Sequence, residues 1–309
     1  MRVSNHVSGL VEYGDDLGGA ASSIGRSLST WFPSSTHPGG FAWEVATGQL
    51  PDKHAVAWAS GEVAGWAAFS EGDSRVECAP GDTITMETLA TWLLKAAGTS
   101  AISVAVYRDQ SALRDLLSSH GFIDETVPLA GLRHPARDTG VRPPAGYRIR
   151  PLKEGEEALR LHAHRRAWKP SNLPFTDDTL DSISQDAESR MDAQKFGEMQ
   201  RATLYRRDLD LVIEAPDGSL AGSCTAWLDP SNGWVELEPL GIVPEHRRLG
   251  LAQTLALDVC RRAADHGGRD VFINTAPLPY YRAPWEAYLT AGFVPMHRGT
   301  RMHRAATTH

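Results

Sequence analysis

Two carboxylates and one phenol are the side chains of this 309-residue chain best suited to moving protons. Glu236 and Glu238 are two residues apart in a predicted strand over 233–243, so both point to one face of a sheet. Tyr288 lies in a predicted short helix over 283–291. A carboxylate can accept a proton as a general base, and a phenol can donate one as a general acid. These residue types suit acid–base catalysis.

The segment that follows the same strand has the composition of an anion-binding turn. Residues 244–252 read PEHRRLGLA, and a helix is predicted from 251 to 266. The first backbone N–H groups of a helix have no intrahelical partner, and the helix dipole favours an anion there. Gly250 and Ala252 let a diphosphate approach the main chain, and Arg247 and Arg248 add charge-assisted hydrogen bonds. The spacing predicts a pyrophosphate site.

This motif, Arg247-x-x-Gly250-x-Ala252, resembles the (Gln/Arg)-x-x-Gly-x-(Gly/Ala) signature of the Gcn5-related N-acetyltransferase (GNAT) superfamily. A strand before the motif, a helix after it, a hairpin upstream and Tyr288-x-x-x-Gly292-Phe293 downstream match the order of elements in that superfamily. The resemblance covers about residues 147–303. It implies that the chain binds acetyl-CoA and transfers the acetyl group to an amine.

The resemblance also implies roles for individual residues. In the superfamily the long strand carries a bulge and splays from its neighbour, and pantetheine lies in the gap. The implied cofactor-binding residues are Leu240, Gly241, Ile242, Val243, Arg247, Arg248, Leu249, Gly250, Leu251, Ala252 and Asn274. Glu236 and Glu238 are both candidate general bases, acting directly or through water, and Tyr288 is the implied acid toward the CoA sulfur.

The acceptor side is defined less well by the sequence. The stretch 162–175 mixes aromatic and cationic residues, and the resemblance places it over the acceptor pocket. Trp168, Phe175 and Tyr281 are candidate acceptor contacts, although each also suits a hydrophobic core. In the superfamily an asparagine often stands at the position of Tyr281. The histidines at 162 and 164 do not share a helix face, so no metal site is predicted.

The arrangement of these elements predicts an α/β fold in two tandem GNAT-like domains, each a mixed, mostly antiparallel sheet flanked by helices. A segment rich in proline, glycine and charged residues separates two halves that contain short segments of similar sequence. Val63-Ala64-Gly65-Trp66 resembles Leu220-Ala221-Gly222-Ser223, and His120-Gly121-Phe122 resembles Ala291-Gly292-Phe293. We therefore predict a first domain over 1–135, a linker over 136–146 and a catalytic domain over 147–309.

The first half lacks the chemical signature that the second half carries. Cys78 to Glu87 replaces the pyrophosphate loop, and Leu117 stands where the second half has its tyrosine. This layout is similar to that of tandem members such as mycothiol synthase, with one competent half. We expect one acetyl-CoA per chain, with the first half serving as a scaffold or as a wall of the acceptor site.

The composition of the chain argues against several classes of protein and of partner. The formal net charge of −7 and the absence of a basic face in the sequence argue against a nucleic-acid partner. Three distant cysteines predict buried thiols rather than disulfides. No segment has the length of a signal-peptide core or of a membrane-spanning helix. The sequence predicts a cytoplasmic protein without membrane association, either a monomer or a homodimer.

The leading hypothesis is an acetyl-CoA-dependent N-acetyltransferase that acts on the amine of a small molecule, such as an amino acid, an antibiotic or another metabolite. One alternative is a protein or peptide N-acetyltransferase, which would need an open peptide groove. A second alternative is a non-catalytic acyl-CoA sensor, which would keep the loop at 247–252 but need neither carboxylate nor Tyr288.

Overall fold

The structure is a computed structural model that describes residues 9–168, 189, 191–275 and 282–306. The chain forms two compact units. Unit 1 contains residues 1–41, 48–129 and 297–309, and unit 2 contains residues 42–47 and 130–296. This division differs from the one predicted above at three places: residues 42–47 and 130–146 group with the second half, and residues 297–309 group with the first.

Unit 1 is a six-stranded sheet with helices packed on it. Its strands lie in the order β1-β2-β3-β4-β5-β12, and all neighbours are antiparallel except β4 and β5. The elements that build it are β1 (Gly9–Tyr13), α1 (Ala20–Trp31), the start of α2 (Pro38–Thr47), β2 (Lys53–Ala59), β3 (Glu62–Phe69), β4 (Ser74–Cys78), α3 (Thr83–Ala97), β5 (Ile102–Tyr107), α4 (Ser111–Ser119), the start of β6 (Ile123–Pro135) and the end of β12 (Val294–Arg304).

Unit 2 repeats this plan. Its strands lie in the order β6-β11-β10-β9-β8-β7, and the parallel pair is β10 with β11. The remaining elements are β7 (Arg148–Pro151), α5 (Glu157–Ala167), α6 (Ala193–Arg201), β8 (Asp210–Glu214), β9 (Leu220–Leu228), β10 (Trp234–Ile242), α7 (Leu251–Asp265), β11 (Asp270–Asn274) and α8 (Arg282–Thr290). The predicted fold class, with two halves built on mixed, mostly antiparallel sheets, is confirmed.

One amphipathic helix in each unit covers a sheet face. The apolar stripe of α7, which includes Leu251, Leu255 and Val259, is buried against β8, β9, β10 and β11. The corresponding stripe of α3 includes Leu89 and Leu93, which pack against β2, β3 and β4. Burying one large aliphatic side chain stabilises a fold by about 1.5–3 kcal/mol. These two helices therefore fix the sheets from which the candidate site is built.

Several elements were not predicted from the sequence. The helices α1 and α2 and the strands β1 and β6 are additions, and β6 extends to Pro135. The segment 177–206 is polar and has a helical pattern. Of its described residues, only those of α6 form an α-helix, and 177–188 and 190 lie outside the described residues.

Candidate active site

The centre of unit 2 is a place where two parallel strands part. β10 pairs with β11 from Trp234 to Glu236 only, whereas β11 continues its pairing with β6 as far as Asn274. The register of β10 against β9 slips by one residue between Leu237 and Leu240. A slip of this kind is a β-bulge, which bends a strand and redirects its side chains. The bulge and the splay expected in the long strand are both present.

The end of β10 leads through a tight turn into α7. Gly250 is the N-cap of α7 and has a left-handed backbone (φ 76°), and Arg248 also has a positive φ of 64°. A left-handed residue is natural for glycine and costly for most others, so this turn is conformationally specified. No side chain caps the helix, and residues 248–250 are exposed. The turn therefore offers backbone N–H groups to an anion.

Arg247, which was predicted to bind the cofactor, uses its side chain inside the unit. Its Nε donates to the Ile242 carbonyl at 3.1 Å, and a terminal nitrogen donates to the Ala167 carbonyl at 3.0 Å. The guanidinium thus ties the end of β10 to the end of α5. Its main chain remains part of the turn, and Arg248 is the arginine that is exposed there.

Two further predicted contacts to the cofactor are engaged in the protein. Asn274 ends β11, and its Nδ2 donates to Oε1 of Glu236 at 2.8 Å. Glu236 is buried at the last parallel pair, opposite Phe272. Leu251 is buried in the core, so its side chain does not reach the turn. The Asn274 amide holds one of the two candidate bases in place.

Glu238 and Tyr288 interact electrostatically within unit 2. Burial, followed by the charges of Glu236 and Glu44, raises the pKa of the half-buried Glu238 to about 8. Burial, followed by Glu238 and Cys224, raises the pKa of Tyr288 well above its usual value. The phenol therefore keeps its proton at neutral pH, while the carboxyl titrates near pH 8. A neutral donor beside a titrating acceptor is the pairing that proton transfer in both directions requires.

The backbone of the bulge is held by an indole. Trp227 on β9 is fully buried, and its Nε1 donates to the Glu238 carbonyl at 2.6 Å. Tyr205 contacts the same indole edge to face, with ring centroids 6.3 Å apart. Because the bulge removes regular pairing at this point, the indole hydrogen bond supplies a donor that the neighbouring strand does not.

Trp168 covers β10 from the α5 side. A Cβ placed on Gly241 would lie 2.3 Å from the Trp168 ring and 2.7 Å from Cβ of Ala167, so only glycine allows this approach. Trp168 also stacks on His164, with centroids 4.3 Å apart and an interplanar angle of 25°. The predicted acceptor residue Trp168 thus forms a wall beside the bulge. Phe175 and Tyr281, the other two predicted acceptor contacts, lie outside the described residues.

A buried ion pair fixes the helix that carries this wall. Arg160 on α5 donates from Nε to Oδ1 of Asp210 at 3.1 Å, and both side chains are almost fully buried. Thr225 and Tyr205 also bond to the Asp210 carboxylate. Breaking a buried pair by removing one partner typically costs about 3–5 kcal/mol. Sequence reasoning did not find this pair, because a salt bridge between residues fifty positions apart leaves no local pattern.

His164 is held neutral within the same wall. Burial, followed by Arg160 and Arg165, lowers its pKa to about 3. Its Nε2 lies 2.9 Å from Oγ of Ser189, and Trp43 contacts the ring edge at 6.1 Å between centroids. A neutral imidazole in this position adds apolar surface and no charge to this wall.

The remaining predicted residues take up ordinary positions. Leu240 is half-buried against the core, Ile242 and Val243 are buried, Leu249 is exposed and Ala252 packs at the start of α7.

All three cysteines are buried and free, as predicted. In the described ranges, no cluster of three or more His, Cys, Asp or Glu side chains has the geometry to hold a metal, and no helix is long and apolar enough to span a membrane.

Comparison with known proteins agrees with this geometry. Residues 177–283 match the family described as acetyltransferase (GNAT) family. A search of curated proteins finds no match. Among solved structures, the chain is similar to a tandem GNAT protein from the clavulanic acid biosynthesis pathway, with 16% identity, a TM-score of 0.55, and coverage of 97% of this chain and 99% of that one.

A second similar structure is an acetyltransferase of the GNAT family from Colwellia psychrerythraea. It shares 12% identity and a TM-score of 0.57, with coverage of 96% of this chain and 99% of the other. At these identities the likeness establishes the shared fold, over nearly the whole of each chain. Residues 177–283 therefore match the acetyltransferase (GNAT) family, and the chain as a whole has the fold of the tandem GNAT protein.

Proposed function

We propose that the protein is an acetyl-CoA-dependent N-acetyltransferase that acetylates the amine of a small molecule. One observation carries the proposal: β10 parts from β11 at Glu236 and runs directly into the uncapped N-terminus of α7. The gap supplies main-chain partners for a pantetheine arm, and the turn at 248–250 supplies N–H groups and a guanidinium for a diphosphate.

The chemistry follows from the two groups beside the bulge. Glu238, as a carboxylate, takes a proton from the acceptor ammonium, and the free amine then attacks the thioester carbonyl. The C–N bond forms, the C–S bond breaks, and Tyr288 gives its proton to the CoA thiolate. The second proton, which the nitrogen loses as it becomes an amide, restores the Tyr288 phenol. Glu238 is the better candidate base of the two carboxylates, because Glu236 is buried and bonded to Asn274, whereas Glu238 interacts with Tyr288.

A walled acceptor site favours a small acceptor over a polypeptide. Trp168 and Ala167 pack directly on Gly241, so α5 closes over β10 where an open peptide groove would have to run. The described residues of unit 1 contain no uncapped turn of this kind, and unit 1 serves as a scaffold in this proposal, with one acetyl-CoA bound per chain. The protein or peptide acetyltransferase remains the alternative that an acceptor panel would reveal.

The test of the donor site is calorimetric titration with CoA and with acetyl-CoA. We expect binding at one site per chain, and we expect Arg248→Glu to weaken it about a hundredfold, since a carboxylate replaces a charge-assisted donor at the helix N-terminus. Arg26→Glu, an exposed arginine on α1 of unit 1, is the matched control. No binding by the unaltered protein would refute the proposal.

Catalysis needs a separate test. Thiol release from acetyl-CoA across a panel of amines and peptides distinguishes an enzyme from an acyl-CoA sensor, because a sensor binds CoA without releasing thiol. We expect release with amines of low molecular mass and not with peptides. Binding without turnover of any acceptor would favour the sensor.

A further inference from the structure

A single side chain joins the last turn of α5 to the segment that leads from β10 into α7. The Arg247 guanidinium donates from Nε to the Ile242 carbonyl at 3.1 Å and from a terminal nitrogen to the Ala167 carbonyl at 3.0 Å. Ile242 ends β10 and Ala167 ends α5. Arg247 and Ala167 are 80 positions apart in the chain, so this bridge connects elements that the sequence separates widely.

The end of α5 is a place where a cation is favoured. The last carbonyl groups of a helix have no intrahelical donor and carry the negative end of the helix dipole. The half-buried Arg247 supplies a donor to one of these carbonyls from another segment of the chain. Partial burial strengthens such a hydrogen bond, because less water competes for its donor and its acceptor.

Trp168, the residue after Ala167, extends this connection to the wall beside the bulge. Its ring lies so close to Gly241 that a Cβ there would be 2.3 Å away, and it stacks on His164 at 4.3 Å between centroids. The side chain is nevertheless 38% exposed, so part of it is open to a ligand. Because Ala167 and Trp168 are consecutive, a shift of the bridged peptide moves the wall.

The other end of the bridge adjoins the turn that the proposed function assigns to the donor. The Arg247 N–H donates to the Pro244 carbonyl at 3.2 Å, which fixes the main chain at the start of this turn. Arg248, the next residue, is exposed with a φ of 64°, and Gly250 caps α7 two residues later. The bridge therefore ends one residue before the turn at 248–250.

An ion pair makes a second connection between the same two segments. Arg166 of α5 donates to the Glu245 carboxylate, and the two side chains are 40% and 59% exposed. Exposed pairs of this kind stabilise little and are screened by salt. The bridge through Arg247 is thus the contact expected to transmit a change from one segment to the other, and Arg166 offers a matched control.

We infer that Arg247 is a positioning residue that couples the donor turn to the acceptor wall. A donor bound at the turn orders the end of α5 and Trp168, and an acceptor held against Trp168 strengthens donor binding by the same factor, as linkage requires. The inference rests on the proposed function. Lysine at position 247 keeps the positive charge but does not reproduce the planar fork that spans the two carbonyls.

Hydrogen–deuterium exchange tests the coupling without turnover. We expect CoA to slow exchange in peptides covering 160–168 about fivefold in the unaltered protein, and we expect no slowing in Arg247→Lys at saturating CoA. Arg166→Lys makes the same change in the exposed ion pair and should keep the slowing. Equal slowing in Arg247→Lys and in the unaltered protein, or none in the unaltered protein with CoA bound, overturns the inference.

A fragment of the cofactor separates coupling through the turn from direct contact of the pantetheine arm with the wall. The fragment 3′-phospho-ADP has the diphosphate of CoA and lacks the arm. We expect it to slow exchange over 160–168 as CoA does. This measurement uses the unaltered protein, so it decides the matter even where Arg247→Lys does not fold. No binding of the fragment, or binding without slowing, overturns coupling through the turn.

Kinetics with an accepted amine distinguishes positioning from a purely structural role. We expect Arg247→Lys to raise the KM of the amine about tenfold at saturating acetyl-CoA, while kcat per folded molecule falls by less than about twofold. Arg166→Lys should leave this KM unchanged. A loss of kcat with an unchanged KM for the amine overturns the positioning role. Failure of the unaltered protein to bind CoA would instead refute the proposed function.

Discussion

In each unit, two parallel strands part and leave a gap between them, but among the residues that the structure describes only unit 1 has a side chain that fills that gap. In unit 1, β4 pairs in parallel with β5 only at Ser74 and Arg75, after which the strands part as they do in unit 2. There Gln110 closes the gap: its Nε2 donates to the Val76 carbonyl at 3.0 Å, and its Oε1 accepts from the Tyr107 N–H at 2.9 Å. A side-chain amide thus occupies main-chain groups that an amide of pantetheine would need.

The helices that follow the two gaps also differ, at their N-termini. In unit 1 the carboxylate of Asp82 caps α3, accepting from the Thr85 N–H at 3.1 Å and from its hydroxyl at 2.7 Å. In unit 2 the cap of α7 is Gly250, which has no side chain to offer. An anion built into the protein satisfies one helix end and repels phosphate there, whereas the other is left for a ligand. In the proposed function, the two units therefore differ in donor binding through very few residues.

We expect the largest functional difference between the two units when one tyrosine hydroxyl is removed from each. Tyr288→Phe removes the proton donor and should lower kcat about a hundredfold with little change in the KM for acetyl-CoA. Tyr107→Phe makes the same change in unit 1, where the phenol lies 3.4 Å from Oε1 of Glu77, and should leave kcat intact. Steady-state kinetics with an accepted amine measures both. Equal losses would show that the two units are not functionally distinct.

A second prediction transfers the cap of unit 1 to unit 2. Gly250→Asp and Gly250→Ala share the cost of a side chain at a left-handed position, but only aspartate adds a carboxylate at the start of α7. We expect CoA to bind about tenfold more weakly to Gly250→Asp than to Gly250→Ala. Calorimetric titration of the two variants side by side gives the difference. Equal affinities would mean that the helix N-terminus does not hold the diphosphate.

The pH dependence separates the carboxylates of the two units. Burial raises the pKa of Glu77, as it raises that of Glu238 to about 8. A carboxyl whose pKa is higher in the folded state than in the unfolded state destabilises the fold increasingly as pH rises above about 4.5 toward the folded pKa. Both Glu77→Gln and Glu238→Gln should therefore raise Tm at pH 8 more than at pH 5. Thermal unfolding across this range checks the sign.

Activity should separate the same two variants. A base with a pKa near 8 gives a kcat/KM that increases through pH 8, and Glu238→Gln should abolish that limb. Glu77→Gln should keep it, because Glu77 lies in the unit without the donor site. A pH–rate profile for each variant decides the matter. Loss of the limb in Glu77→Gln, or its survival in Glu238→Gln, would contradict the assignment of the base.

The smallest expected effect is at the cap of α3. Asp82→Ala removes one N-cap, which costs about 1 kcal/mol and corresponds to a fall in Tm of about 2–4 °C. We expect the stoichiometry of CoA to stay at one per chain, since Gln110 still closes the gap. Differential scanning calorimetry and titration measure the two quantities. A second bound CoA would show that the cap alone keeps unit 1 empty.

Local patterns in the sequence predicted the elements around the donor site well. β10 lies within the strand predicted over 233–243, and α7 begins at the predicted residue and ends one residue earlier than predicted. Hairpin glycines, alternating strands and the amphipathic stripe of α7 are all encoded within about fifteen residues, so reading the chain recovers them. The placement of Glu238 and Tyr288 in one unit followed from this order of elements.

Local patterns could not predict the contacts between residues that are far apart in the sequence. The Asn274 amide bonds to Glu236 across 38 positions, and Trp43 meets His164 across more than a hundred. Neither contact depends on periodicity or composition near the residues involved. The internal use of the Arg247 guanidinium was missed for the same reason, because the motif specifies a residue type at a turn and not the direction of its side chain.

The assignment of residues 297–309 to unit 1 has a consequence for how the chain acquires its structure. Residues 299–304 of β12 pair with β5, whose residues are about two hundred positions earlier. The sheet of unit 1 therefore lacks this neighbour of β5 until almost the whole chain has left the ribosome. Pairings of such high sequence separation form slowly, and an unpaired strand edge invites association with other chains. The first unit to be synthesised is thus the one that must wait longest to be completed.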